Sequence, residues 1–295
     1  MRTVIALDIG ATSIKAAAID SEGRVLTRAS APTEGAKGPD RVLENAAALV
    51  DRMQNECVNA GLALGVSSCG SIDPATGVVV EATIVMPDWP GTDIKSFMEK
   101  RTRLKTAVRN DGEAAALGEA VYGAGKGVKV FAMLTLGTGV GGGLVFNGEI
   151  FGGETNLAGK IGHMKAVQDG RDCSCGARGC LEAYASAYAC RAAFGKEPLE
   201  VFSMAAKGDE KAAAFVCEAG TALGRVCADL CNCLNPGMIA IGGGMAEGWE
   251  LLYPHVMMEF EKCAMQETAK AVKIRKAVCG NDAGVLGAAA LAMKL

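Results

Sequence analysis

The stretch LDIGATSIK, residues 7–15, decides the fold class of this chain. It places a glycine turn between two short aliphatic runs, which predicts strands over Thr3 to Asp8 and Ser13 to Asp20. A glycine beside a strand end marks a place where the backbone turns tightly or approaches another group closely. The stretch therefore predicts a hairpin that begins an α/β domain.

The polar residues of this turn have two open interpretations. Backbone N–H groups of a glycine turn can bind phosphate oxygens, and an aspartate at a strand end can hold a magnesium ion through water. The same arrangement is also common in hairpins that bind nothing. The candidates for nucleotide binding are Asp8, Gly10, Thr12 and Lys15.

Two later glycine clusters strengthen the phosphate interpretation. LGTGVGGG at 136–143 lies between predicted strands at 130–136 and 143–146, and IGGG at 241–244 follows another predicted strand. Neither cluster is a Walker A loop or a dinucleotide fingerprint, which disfavours an oxidoreductase. The second cluster repeats the architecture of the first hairpin and predicts two related α/β halves that share a cleft. The added candidates for ATP binding are Gly137, Thr138, Gly139, Gly242, Gly243 and Gly244.

The domain boundary is predicted near residues 123–127, where GAGKG ends a helix. Residues 1–123 form the smaller domain, which includes a helix over Arg41 to Ala60 and is completed by the small-residue helix 282–295. Residues 124–281 form the larger domain and contain a cysteine-rich loop.

Asn110 and Asp111 stand between a predicted strand and a predicted helix. Asn110 is suited to the N-cap position, with Glu113 completing a capping box. Asp111 is suited to act as a general base that removes a proton from an attacking hydroxyl during phosphoryl transfer. The two roles are compatible, because a cap would hold the carboxylate in position.

A cluster of soft and borderline ligands lies in GHMKAVQDGRDCSCGARGCLE, residues 162–182. A Cys3His set is typical of a closed structural zinc site, and the polar, glycine-rich loop disfavours the alternative of buried reduced thiols. The predicted ligands are His163, Cys173, Cys175 and Cys180. The second ring nitrogen of His163 would then face a substrate hydroxyl. Glu182 lies in a predicted helix from about Leu181 to Phe194. Its carboxylate either interacts favourably with the dipole at the start of this helix or binds sugar hydroxyls.

Composition limits the partners. The chain has 295 residues, 50% of them hydrophobic and 21% charged, with a net charge of −3, so nucleic acid is not an expected partner and small molecules are. No apolar run is long enough for a membrane span, and residues 1–10 do not resemble a signal peptide, so a cytoplasmic location is expected. The nine cysteines outside the loop are expected to be small buried hydrophobes.

Taken in order, these motifs resemble the ROK sugar kinases, a family that includes glucokinases, N-acetylmannosamine kinases and fructokinases. The matching stretches are LDIGATSIK, GSIDPATG, RNDGEAAALGE, LTLGTGVGGGLVFNGEIFGG, the zinc signature that ends in CSCGARGCLEAYAS, and IAIGGG. The resemblance implies the two-domain, ribonuclease H-like fold of sugar kinases and actin-like ATPases, with a cleft between the domains.

The same resemblance implies a reaction. ATP, with Mg²⁺, would phosphorylate a sugar hydroxyl, commonly at C6, with Asp111 as base and a structural Zn²⁺ in the cysteine loop. A homodimer is expected by analogy. The residues implied to contact the sugar are Gly70 through its backbone, Asn110, Asp111, His163 and Glu182.

One position departs from the family pattern. Family kinases usually read Glu-x-Gly-His, whereas this chain has Lys160-Ile161-Gly162-His163. Lys160 either turns outward while the protein recognises a different hexose, or pairs with an anionic substrate group or with Glu182. The alternative function is a sugar-binding or sensing protein with weak or no kinase activity, because a family sugar ligand is replaced.

Overall fold

The secondary structure alternates between strands and helices along the whole chain. A computed structural model describes residues 2–57, 60–82, 86 and 88–295, and only the backbone of residues 60–62. The strands are β1 (Thr3–Ile9), β2 (Ser13–Asp20), β3 (Val25–Pro32), β4 (Ala60–Ser68), β5 (Ser71–Asp73), β6 (Val78–Glu81), β7 (Lys105–Asn110), β8 (Val130–Leu136), β9 (Val140–Phe146), β10 (Glu149–Ile150), β11 (Met238–Gly242) and β12 (Lys273–Lys276). The helices are α1 (Pro39–Glu56), α2 (Ile94–Thr102), α3 (Asp111–Tyr122), α4 (Ala187–Phe194), α5 (Pro198–Ala206), α6 (Glu210–Leu234), α7 (Trp249–Cys263), α8 (Gln266–Ala269) and α9 (Ala283–Ala292).

The chain divides into two compact units. Unit 1 contains residues 1–126, 148–158 and 281–295, and unit 2 contains residues 127–147 and 159–280. The division falls after residue 126, and the C-terminal residues 281–295 belong to unit 1. Residues 148–158 differ from the prediction, because they associate with unit 1 although the sequence placed them in the second domain.

Unit 1 is built on a mixed sheet with the order β3-β2-β1-β4-β7. The first three strands form an antiparallel meander, and β4 and β7 run parallel to β1. Hydrophobic residues of β1, β4 and α1 form the buried core of this unit. The parallel part of the sheet directs the carboxyl ends of β1, β4 and β7 toward one edge, where the polar candidates lie.

Unit 2 repeats the same arrangement. Strands β8 and β9 form an antiparallel hairpin, and β11 and then β12 add to β8 in parallel. Its core lies between this sheet and the long helices α6 and α7. The structure confirms that the glycine hairpin is repeated, and it shows in addition that parallel strands follow each hairpin. No helix in the described part of the chain has the length and apolar character needed to span a membrane.

Helix α9 packs against α3 and β4 at very short range. A Cβ atom on Gly287 would lie 1.7 Å from the carbonyl oxygen of Ala114, and one on Gly65 would lie 1.7 Å from the carbonyl oxygen of Ala288. The absence of side chains at these two positions lets the backbones touch. The small-residue composition of the C-terminal segment thus allows it to complete unit 1.

Helix α1 ends earlier than the periodicity predicted. It covers Pro39–Glu56, and Cys57 makes the final hydrogen bond to the Met53 carbonyl at 3.0 Å. Ala60 already pairs with Thr3 as part of β4. The predicted end of this helix also includes residues 58 and 59, which lie outside the described residues.

We predict that Gly287→Ala destabilises the protein. Alanine normally favours a helix by about 1 kcal/mol over glycine, but overpacking costs about 1–3 kcal/mol, and here the obstacle is a backbone carbonyl. Chemical denaturation should therefore show a loss of about 2 kcal/mol or more in the free energy of unfolding. Gly35→Ala is the control, since its nearest neighbour would be Met86 at 3.6 Å. Equal stability of Gly287→Ala and the wild type would contradict the close-packing account.

Candidate functional site

The candidate residues of unit 1 lie at the carboxyl ends of three parallel strands. Asp8 near the end of β1 is in register with Ser67 of β4, and Ser68 is in register with Asn110 at the end of β7. In α/β sheets, ligands bind outside the carboxyl ends of the strands. The fold therefore brings Asp8, the loop after β4 and Asn110–Asp111 to one edge.

Asp8 is a half-buried carboxyl group with a defined partner. The Ser67 hydroxyl donates a hydrogen bond to Oδ1 of Asp8 at 2.8 Å. Burial raises the pKa of Asp8, and the Ser67 hydrogen bond and the charge of Lys15 oppose that rise only in part. A desolvated carboxylate is costly in a folded protein, and a bound cation would remove much of that cost. This chemistry fits the predicted magnesium role.

The first glycine turn is closed by backbone and side-chain bonds. Gly10 donates its N–H to the Ser13 carbonyl at 3.1 Å, and the Thr33 hydroxyl donates to the Gly10 carbonyl at 2.6 Å. The Thr33 N–H also bonds to the carbonyl of Thr12 at 3.1 Å. The Lys15 ammonium donates to the carbonyl of Asn281 at 3.1 Å. These hydrogen bonds fix the conformation of the turn.

Asn110 organises the region around Asp111. Its Oδ1 accepts hydrogen bonds from the N–H groups of Gly112 and Glu113 at 3.0 and 3.3 Å, which confirms the predicted N-cap of α3. Its Nδ2 donates to the Gly70 carbonyl and to Oδ1 of Asp111, both at 2.8 Å. The Gly112 N–H also donates to Oδ1 of Asp111 at 2.8 Å. Three of the predicted sugar-contacting residues are therefore joined by direct hydrogen bonds.

The loop after β4 lies close to this carboxylate. Gly70 has φ +93°, and a Cβ there would lie 2.6 Å from the Glu81 carbonyl oxygen, so the position requires glycine. Burial and then the charge of Asp111 raise the pKa of the Cys69 thiol to about 11. Asp111 and the loop that contains Cys69 and Gly70 are therefore close neighbours.

The glycine turns of unit 2 lie next to one another. Gly137 donates its N–H to the Gly139 carbonyl at 2.9 Å, which closes the turn between β8 and β9. Gly243, with φ +85°, would place a Cβ 2.5 Å from the carbonyl oxygen of Leu136, so the turn after β11 contacts the end of β8. A Cβ on Gly244 would meet no atom within 4 Å. Together, the two turns leave backbone accessible to a ligand in the manner of a phosphate site.

The four predicted metal ligands of unit 2 come together. The Nδ1 of His163 and the Sγ atoms of Cys173, Cys175 and Cys180 all lie within 4.8 Å of one another. The Cys173 Sγ to His163 Nδ1 distance and the Cys175 to Cys180 Sγ distance are both 3.7 Å. Tetrahedral coordination with metal–sulfur bonds of about 2.3 Å separates two sulfurs by about 3.8 Å. The side chains are therefore arranged so that they could hold one metal ion.

Glu182 does not lie at the start of an α-helix. It lies in a 3-10 helix, Leu181–Ala183, and α4 starts only at Ala187, where the Ser186 hydroxyl accepts from the Ala189 N–H. The predicted helix from Leu181 was wrong at this end because a serine cap interrupts the segment. Oε2 of Glu182 accepts the Val140 N–H at 3.0 Å, and Oε1 accepts the Ser174 hydroxyl at 2.9 Å.

Lys160 precedes the short 3-10 helix Ile161–His163 that contains the histidine ligand. Its predicted pairing with Glu182 stays untested, and the contacts of Glu182 described above are made by other groups.

Sequence reasoning missed two residues that shape unit 1. Ser67 positions Asp8, and Thr33 closes the first turn. A polar residue at the end of a predicted parallel strand next to Asp8 was the available signal for Ser67. Thr33 gave no such signal, because its contact depends on the register of β2 with β3.

Comparison with known proteins gives consistent matches. The sequence matches the ROK family over residues 4–295. A glucokinase from Halalkalibacterium halodurans is 34% identical, with 97% of this chain and 93% of the relative aligned, and an N-acetylmannosamine kinase from Citrobacter koseri is 32% identical, with 98% of each aligned. The crystal structure of a ROK family glucokinase from Streptomyces griseus, in complex with glucose and AMPPNP, is 30% identical and superposes with a TM-score of 0.83 over 99% of this chain and 100% of that one.

We predict that Asp8→Asn does not destabilise the protein at neutral pH and raises its melting temperature. Asparagine keeps an acceptor for Ser67 and removes the buried charge. Because its pKa is raised, Asp8 holds its proton more tightly in the native state than in the unfolded state. Ionisation of Asp8 therefore lowers the stability of the fold as the pH rises above the ordinary pKa of an aspartate. The gain measured by thermal unfolding should therefore be larger at neutral pH than in mild acid.

Asp73→Asn is the control, and its effect on the melting temperature at neutral pH should have the opposite sign. Hydrogen bonds from the Ala75 N–H and the Thr76 side chain lower the pKa of Asp73, so its ionised form stabilises the fold. The Asp8 account is contradicted if Asp8→Asn melts at a lower temperature than the wild type at neutral pH.

Proposed function

Because the chain belongs to the ROK family, we propose that it transfers the γ-phosphoryl group of ATP to a hydroxyl of a hexose or hexose derivative, commonly at C6, with Asp111 as the general base. The observation that carries this proposal is the hydrogen-bonded group formed by Asn110, Asp111 and Gly70. The names of the relatives, and the glucose and AMPPNP in the Streptomyces griseus structure, support ATP and a hexose as substrates.

Asp111 would act on the proton of the attacking hydroxyl. Phosphoryl transfer needs the acceptor oxygen placed in line and its proton removed as the new bond forms. Two N–H donors bind Oδ1 of Asp111, one from the Asn110 side chain and one from the Gly112 backbone, and they fix the direction of the carboxylate. A base held in this way loses little entropy when the sugar binds, which favours catalysis.

We assign candidate nucleotide-binding groups in each unit by itself. In unit 1 we assign Asp8, Gly10, Thr12 and Lys15 to the phosphates, with Asp8 near the Mg²⁺ that ATP brings. In unit 2 we assign the turn Gly137–Thr138–Gly139 to the phosphates and Gly242–Gly244 to the α-phosphate or adenosine side. The magnesium ion, when bound, neutralises charge on the phosphates during transfer.

We assign the cysteine loop to a structural zinc ion. The support is the set of three thiols and one imidazole nitrogen at spacings suited to tetrahedral coordination. Four protein ligands leave no open position for water, so the ion would hold the loop and take no part in the reaction. Because Nδ1 of His163 faces Cys173, Nε2 is the nitrogen that we assign to a sugar hydroxyl.

The sugar would also contact Glu182, and Lys160 would set which sugar is accepted. A cation at position 160 favours a substrate with an anionic group, or a hexose that does not need the usual acceptor. The alternative function, a sugar-sensing protein with little turnover, would follow if Lys160 abolished productive binding. The ordered base in unit 1 favours the kinase over this alternative.

A homodimer and a cytoplasmic location are further parts of the proposal. Large apolar side chains of unit 2 are exposed, including Leu199, Met258 and Met265, and they are suited to an interface between copies.

We predict that sugar-dependent ADP formation is lost in Asp111→Asn. Removal of a general base typically lowers the rate by about 10²- to 10⁴-fold. The assay uses Mg-ATP with a panel of hexoses, N-acetylhexosamines and sugar acids. Asp40→Asn is the matched control, because it makes the same chemical change in an exposed carboxylate at the start of α1. If no sugar raises turnover above that of Asp111→Asn, while sugars still bind, the sensing alternative replaces the kinase.

We predict that Lys160→Glu shifts substrate preference toward neutral hexoses. Exchanging a cation for an acceptor should change the ratio of kcat/KM for glucose over a sugar acid by about tenfold or more. The same panel measures this ratio in the wild type, in Lys160→Glu and in the exposed control Lys129→Glu. An unchanged ratio would mean that Lys160 does not set specificity.

A further inference from the structure

Val140 links the glycine turn of unit 2 to the cysteine loop. It is the first residue of β9, directly after Gly139, and its N–H donates to Oε2 of Glu182 at 3.0 Å. The other oxygen of Glu182 accepts from the Ser174 hydroxyl at 2.9 Å and lies 3.7 Å from the Sγ of Cys173. One carboxylate therefore contacts both the turn and the loop that carries the metal ligands.

The histidine ligand reaches Val140 from a second direction. Gly162, the residue before His163, would place a Cβ only 2.0 Å from the Val140 carbonyl oxygen. The short helix that contains His163 therefore packs directly on the backbone of Val140. Val140 therefore contacts two segments that carry predicted metal ligands: the short helix that contains His163, and the segment that follows Cys180.

The segment after Cys180 makes two more hydrogen bonds to the turn Gly137–Gly139. The N–H groups of Ala187 and Tyr188 donate to the carbonyls of Gly137 and Thr138 at 2.9 and 3.0 Å. A Cβ at position 139 would lie 2.3 Å from Oε2 of Glu182, so this carboxylate packs directly against the turn. The position of the turn is thus set largely by residues that follow the metal ligand Cys180.

We propose that Glu182 is a positioning residue that couples the metal state of the cysteine loop to the turn Gly137–Gly139, so that nucleotide affinity depends on the bound metal. This inference rests on the proposed assignment of the turn to ATP. A metal ion holds His163 and Cys180 at fixed separation and so fixes both segments that contact Val140. Loss of the ion removes this constraint, and the carboxylate of Glu182 loses its fixed direction.

A direct sugar contact by Glu182 is compatible with this role. An ionised carboxylate has about four acceptor positions. If sugar binding were its sole task, however, a change at Glu182 would alter the KM for the sugar and leave nucleotide affinity unchanged. The two roles therefore give different results in a binding experiment without sugar.

The first experiment measures the affinity for Mg-AMPPNP by titration calorimetry, with zinc-loaded and chelator-treated protein. The affinity of the wild type should fall about tenfold on chelation, within the usual range of coupling between sites. Glu182→Ala should bind weakly in both states. Ser174→Ala, which keeps all four metal ligands, should lose part of the dependence on zinc.

The matched control is Glu218→Gln. Glu218 forms an exposed ion pair with Arg171 of the cysteine loop but is not among the residues that contact the turn. It should retain the affinity and the zinc dependence of the wild type. Equal affinities of zinc-loaded wild type and Glu182→Ala would overturn the proposal.

The second readout needs no nucleotide. Amide hydrogen exchange over residues 137–146 should be faster after chelation in the wild type, and fast in both states in Glu182→Ala. If this metal dependence is present while AMPPNP does not bind, the assignment of the turn to ATP fails and the coupling stands. If AMPPNP binds and neither affinity nor exchange depends on zinc or on Glu182, the coupling fails and the kinase proposal stands.

Circular dichroism monitors folding in each state. If chelation unfolds the wild type, the decision rests on zinc-loaded Glu182→Ala and Ser174→Ala. Both must then show faster exchange over residues 137–146 and weaker AMPPNP binding than Glu218→Gln, and the proposal is overturned if they do not.

Discussion

The hydrogen bonds of the Asn110 side chain are the constraint on which the rest of this account depends. The amide begins α3 through its oxygen, and through its nitrogen it holds the Gly70 carbonyl and the Asp111 carboxylate. A single side chain thus fixes a helix start, a loop and an acid group at the end of β7. The same side chain therefore caps the helix and positions the Asp111 carboxylate, through two different atoms.

Both units have the same arrangement of strands and glycine turns. A glycine turn joins two antiparallel strands, and parallel strands then bring polar residues or a further glycine turn to the same edge. In unit 1 this edge carries carboxylates, and partial burial raises the pKa of Asp8 there. In unit 2 the edge carries backbone groups of two turns, with the Cys/His cluster beside one of them. The two edges thus differ in their side chains, with carboxylates in unit 1 and a Cys/His cluster in unit 2.

Much of this arrangement could be predicted from the sequence, because it is encoded locally. Strand–glycine–strand patterns identified the turns, the Asn110 cap followed from its position before a helix, and the spacing of one histidine and three cysteines identified the cluster. The end of α1 and the start of α4 were misplaced because a parallel strand pairing and the Ser186 cap override helical periodicity. The sequence analysis did not identify Ser67 as the partner of Asp8, although its place at a strand end was a signal, and the contact of Val140 with Glu182 gave no signal because it depends on loop packing.

The most direct test of the central claim identifies the product by ³¹P NMR after incubation of the protein with Mg-ATP and an accepted hexose. The account predicts a new sugar phosphate resonance, split into a triplet by the two protons of C6, that appears in step with ADP. Formation of ADP with inorganic phosphate as the only other product would contradict it, because the terminal phosphoryl group would then have gone to water and not to the sugar hydroxyl held over Asp111.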